Sequence, residues 1–127
     1  MRHIVTAMLF GALLSTVPSV RETHAALSQP FDGNWSVVVV TERGVCDRAY
    51  RYSVHVESGQ VRYNGDAKGV NLGGTVSQNG LVNVSIRLRD RGAEGNGRIS
   101  ATVGAGHWHG NGPNNTTCAG TWEAERR

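Results

Sequence analysis

Two histidines flank a tryptophan at His107-Trp108-His109. On a β-strand, residues i and i+2 point to the same side, so both imidazoles could grip one Zn²⁺ or Cu²⁺. The phase of the strand argues against a deep site, because an inward Trp108 sends both histidines outward. No carboxylate sits close in sequence, and two ligands without a third rarely hold a metal. The expectation is therefore a pair of surface histidines, with a metal at His107 and His109 as the lesser reading.

Cys46 and Cys118 are the only cysteines. Cys46 falls just after the first expected strand and Cys118 at the start of the last. In an up-and-down barrel those strands are antiparallel neighbours, so a disulfide there would tie the closing seam. Its long loop would contribute roughly 4 kcal/mol on the chain-entropy account. Free thiols or a metal pair are the alternatives.

No catalytic device is visible. There is no G-x-S-x-G elbow and no P-loop, and Gly95-Asn96-Gly97-Arg98-Ile99-Ser100 starts like a dinucleotide fingerprint but opens a strand. Asp32, Asp47, Asp66, Asp90 and Glu94 sit in turn regions, where backbone chemistry favours such residues. Arg87, Arg89 and Arg98 read as an outward, solvated stripe, with Arg91 in a loop. The expectation is a protein that is not an enzyme and carries no cofactor.

These residues must be positioned by short strands. Trp35, Val37 and Val39 share one face. Tyr50, Tyr52, Val54 and Val56 alternate with Arg51, Ser53, His55 and Glu57. Val61 and Tyr63 follow the Ser58-Gly59 turn. Val70, Leu72 and Val76 come next, and Gln78-Asn79-Gly80 turns into Val82, Val84, Ile86 and Leu88. Asp90 to Asn96 reads as a loop, then Ile99, Ala101 and Val103 alternate with polar residues. A polar loop, Gly110 to Thr116, leads to the last strand with Cys118 and Trp122. The pattern predicts eight strands and no helix. The fold class is all-β, a single small antiparallel eight-stranded up-and-down barrel, with a two-sheet sandwich as the alternative.

Before the strands comes a leader. Met1-Arg2-His3 is basic, Ile4 to Val17 is largely apolar, and Thr23-His24-Ala25-Ala26 offers small residues for cleavage. The apolar run is too short to span a bilayer comfortably. The expected organisation is a signal peptide over 1–25, an arm over 26–33 and a barrel domain over 34–127. Export to the periplasm or medium follows, with no membrane span after cleavage. The full chain has 13 Lys and Arg against 10 Asp and Glu. Losing Arg2, Arg21 and Glu22 with the leader leaves an excess of two, which gives no argument for nucleic acid.

The inward aromatic residues include Trp35, Tyr52, Tyr63, Trp108 and Trp122. In so small a chain they are expected to make a packed core. A cup lined by Tyr52, Tyr63 and Trp108 for a flat or apolar ligand is the alternative. Buried positions are expected at Trp35, Val37, Tyr52, Val54, Val84, Ile86, Ile99, Trp108 and Trp122. Arg51, His55, Arg87, Arg98, His107 and His109 are expected outside. The loops Glu42 to Arg48, Asp90 to Asn96 and Gly110 to Thr116 should crowd one rim. Asp47, Asp90, Asn111 and Asn114, near Cys46, are the candidate contact residues there.

The order Phe31-Asp32-Gly33-x-Trp35, Cys46, Tyr50-x-Tyr52, Gly106-x-Trp108-x-Gly110 and Cys118-x-Gly120-x-Trp122 resembles a group of small exported proteins of alphaproteobacteria. Some of that group carry a loose haem-utilisation label. More distantly, Gly33-x-Trp35 and the strand count are similar to avidin, lipocalin and bacterial metalloprotease-inhibitor barrels. The resemblance implies a location outside the cytoplasm, and the expected function is that of a monomeric binding protein whose partner is a small ligand. A protein-binding module, such as an inhibitor of an exported enzyme acting through the 26–30 arm, is the alternative, and haem or metal binding comes third.

Overall fold

A computed structural model of the protein describes residues 11–18 and 30–127. The expected signal peptide over 1–25 lies mostly outside the described residues, as does the expected arm up to residue 29. Residues 11–18 have no regular structure.

Eight strands run in chain order: β1 (Gly33–Arg43), β2 (Ala49–Glu57), β3 (Gln60–Tyr63), β4 (Val70–Val76), β5 (Leu81–Leu88), β6 (Arg91–Ile99), β7 (Val103–Asn111) and β8 (Thr117–Arg126). Each pairs antiparallel with the next, and β8 returns to β1 to close the barrel. Closure gives every strand two neighbours, although the short β3 pairs with only Val54–Glu57 of β2 and Gly73–Thr75 of β4. The closing seam runs from Trp35↔Arg126 to Arg43↔Ala119, with a shift of register between Thr41 and Arg43. The expected all-β up-and-down barrel is the observed one.

Alternation sets the two faces as period two requires. Trp35, Val54, Val56, Val61, Val76, Val82, Trp122 and Ala124 form the buried cluster with Phe31. These residues fill one end of the barrel. Trp35 lies across that end, 2% exposed, and its Nε1 donates to the Phe31 carbonyl at 2.9 Å. The guanidinium of Arg126 sits 4.9 Å over its ring and donates to the carbonyls of Pro30, Asp32 and Ala101 at 2.7–2.8 Å. A cation over an indole gains from the ring quadrupole. The three hydrogen bonds join the last strand to the segment before β1 and to the β6–β7 turn. The Asp32 carboxylate accepts from the Ser58 and Gly59 amides, which fastens the β2–β3 turn to the same end. This end is plugged.

At the opposite rim, Cys46 and Cys118 form a disulfide with a Cα–Cα distance of 6.1 Å, joining the β1–β2 loop to the start of β8. The β7–β8 connection makes a 3₁₀ turn over Pro113–Asn115, held by Gly112 N–H donating to the Thr116 carbonyl at 2.6 Å.

Four expectations change. Of the residues expected to be buried, Trp35, Val54 and Trp122 are, while Val37, Tyr52, Val84, Ile86, Ile99 and Trp108 are half-buried. Asp90 to Asn96 is not a loop: Arg89 and Asp90 alone turn the chain, and β6 starts at Arg91. Glycines at 92, 95 and 97 hid the strand, because they lack the side chains that show alternation. The third long connection at this rim is instead β3–β4, from Asn64 to Gly69. His55 is half-buried rather than fully exposed, since its Nδ1 lies 2.8 Å from Asn34 Oδ1 on the neighbouring strand.

Candidate functional site

The barrel is not filled along its length. A cavity of about 170 Å³ lies above the plugged end, lined by Val37, Tyr52, Leu72, Val84, Ile86 and Trp108 among others. Its lining extends down to Trp35, Val56, Val61 and Val76 of the buried cluster, so the expected packed core is incomplete; of the alternative cup, Tyr52 and Trp108 line the cavity and Tyr63 does not. The physical reason is the composition of one wall. Inward positions on β6 are Ala93, Gly95 and Gly97, and on β7 Gly104, Gly106 and Gly110 share the inward face with Trp108. Small residues facing the lumen leave it short of side-chain volume.

The two lumen tryptophans do not span the gap, because glycines let them lie flat on the wall. Trp122, on β8, crosses β7 and donates from Nε1 to the Asn96 carbonyl on β6 at 3.2 Å. A Cβ at Gly106 would fall 2.6 Å from that Nε1, and one at Gly97 2.7 Å from the Trp122 ring. Trp108, on β7, lies the other way, across Gly120 of β8, and donates to the Val40 carbonyl on β1 at 2.9 Å. Both indole N–H groups are thus satisfied by backbone, and the ring faces remain for an apolar guest.

On the opposite wall the tyrosines climb toward the mouth. Tyr50 and Tyr52 stack with centroids 6.0 Å apart, and Tyr63 meets Tyr52 edge-on at 6.5 Å. Burial, followed by the neighbouring Tyr63, pushes the Tyr52 phenol up from its usual range. Tyr63 shares the inward face but is not among the residues lining the cavity. Its hydroxyl accepts from the Ala67 amide at 3.2 Å under the β3–β4 loop.

Polar groups gather at the mouth. The Tyr50 hydroxyl donates to Asp47 Oδ2, and the Thr41 hydroxyl donates to the Asp47 carbonyl at 2.6 Å. The hydrogen bond to Asp47, helped by burial, pushes the Tyr50 phenol up to about 12. Cys46, Asn111 and Arg91 also line the upper cavity. The rim therefore brings together Asp47, Asn111 and the disulfide. Asp90 lies in the β5–β6 turn on the same rim and Asn114 at the tip of the β7–β8 turn, the latter with a φ of 55°. Of the four candidate contact residues only Asn111 lines the cavity; Asp47, Asp90 and Asn114 do not.

The histidines stand apart from all this. His107 and His109 are exposed on the outer face of β7, and His109 Nε2 lies 3.6 Å from Glu94 Oε2 on β6. Among the described residues no group of three or more potential metal ligands comes together.

Arg91 is the lining residue that sequence reasoning placed elsewhere. Pairing of Leu88 with Arg91 puts it on the inward face at the first position of β6. The signal that could have found it is the two-residue Arg89-Asp90 turn, followed by Arg91, Ala93, Gly95 and Gly97 at period two. Among the described residues no helix is long and apolar enough to cross a membrane. The chain matches no family model, no curated protein and no solved structure, so its function is argued from this geometry.

Proposed function

We propose that the domain is an exported, non-enzymatic binding protein that takes one small apolar or aromatic ligand into the barrel. The observation that carries this reading is the apolar cavity of about 170 Å³ beneath an open rim. Dry apolar cavities of about 150 Å³ bind benzene or xenon, so this one matches a single substituted ring. Trp108 and Tyr52 offer flat faces, and aliphatic side chains complete the lining. The disulfide supports a location where such bonds persist.

The reading is tested with propylbenzene, followed through the Trp108 indole N–H resonance. Nine carbons buried at ordinary ligand efficiency should give roughly −4 to −6 kcal/mol, a Kd between about 40 μM and 1 mM. Saturable shifts confined to the lumen residues support the proposal. Absence of binding at millimolar probe would leave the inhibitor reading, which uses the outside of the barrel, as the stronger one.

A further inference from the structure

We infer that the ligand carries an anionic head group, which Arg91 receives at the mouth while the apolar body occupies the cavity. This rests on the binding reading above and names its ligand class, an amphipathic carboxylate with a body of about one ring.

Arg91 occupies an inward-phase position at the first residue of β6, level with the rim, where it borders the cavity and is exposed to solvent. Within the barrel order, β6 lies diametrically opposite β2. The Arg91 charge also acts on the Tyr50 phenol of β2, as the weakest of the influences on that group. Among the described residues it makes no ion pair or hydrogen bond to a side chain, and the one ion pair found is His109 with Glu94 outside the barrel. Glu94, the other charged residue along the lining, turns its exposed side chain outward to that histidine. The Asp47 carboxylate accepts from the Tyr50 hydroxyl. Arg91 is thus a fork of donors left open above an apolar chamber. A guanidinium binds a carboxylate through two parallel hydrogen bonds, stronger than a neutral pair.

The experiment compares 4-propylbenzoate with 4-propylbenzamide, which has the same shape and no charge. Both are titrated into the wild-type protein and into Arg91→Gln at low ionic strength. Arg89→Gln, in the β5–β6 turn beside it, serves as the charge-matched control. The wild type should bind the benzoate about tenfold more tightly than the amide. Arg91→Gln should bring that ratio to about one, and Arg89→Gln should keep it. Equal affinities in the wild type, or a preference that survives Arg91→Gln, would overturn the inference while the apolar reading stands. If neither probe binds, the cavity reading has failed and this inference fails with it.

Discussion

Replacing Ala93 by Leu gives a result whose sign depends on whether the lumen is hollow. Ala93 faces inward on β6, pairs with Ile86 and Gly110, and lines the cavity. Leucine adds three carbons, worth about 2.4 kcal/mol at about 0.8 kcal/mol each if fully buried. Lost rotamer freedom removes about 0.5–1 kcal/mol, and the wet mouth reduces the gain further. The net expectation is a stabilisation of about 1 kcal/mol. In a filled lumen the same change would overpack it and cost about 1–3 kcal/mol. Gly97, four residues along the same face, supplies the contrast: a Cβ there would sit 2.7 Å from Trp122 and 2.2 Å from the Ala105 carbonyl. Gly97→Val should therefore destabilise by at least about 2 kcal/mol. Urea unfolding reads both, since the two midpoints should move in opposite directions. Ala93→Leu should also weaken propylbenzene binding at least about tenfold by occupying its place. A destabilised Ala93→Leu would refute the hollow interior.

Three other outcomes follow from particular contacts. The Tyr50 phenol, pushed up to about 12 by Asp47, favours its protonated form in the folded state. Stability should therefore be fully present below pH about 10 and fall as the pH rises toward 12, and Asp47→Ala should bring the phenol back toward 10 in an ultraviolet titration. Replacing Cys46 and Cys118 by Ser removes a link across a sequence separation of 72 residues and should lower stability by about 2–5 kcal/mol in thermal or denaturant unfolding. Trp35→Ala should cost about 3–5 kcal/mol by the same measurement, because the ring closes the plugged end under Arg126.

What the sequence showed well was alternation carried by large side chains. The β2 run Tyr50 to Glu57 and the β5 run Leu81 to Leu88 announce both their strands and their faces, because each inward residue is big and most outward residues are polar. The cysteine pair was legible from strand count alone, since closure makes the first and last strands neighbours. The hollow interior was not legible. It depends on how much volume faces the lumen, and the register that counts Ala93, Gly95, Gly97 and Gly106 as lumen positions is a property of pairing. Glycine carries no alternation signal, so β6 looked like a loop and the phase of Arg91 was hidden, although its exposure was read correctly. Tyr63 illustrates the limit of phase. It points inward as expected, yet the β3–β4 loop covers it and it lies beside the cavity rather than on it.

Xenon pressurisation of crystals of the domain tests the central claim most directly, because the gas needs only an accessible apolar space. The account predicts one well-occupied xenon site among Tyr52, Val84, Ile86 and Trp108, and its loss in Ala93→Leu. Density for side chains filling that volume, with no xenon bound there, would contradict it.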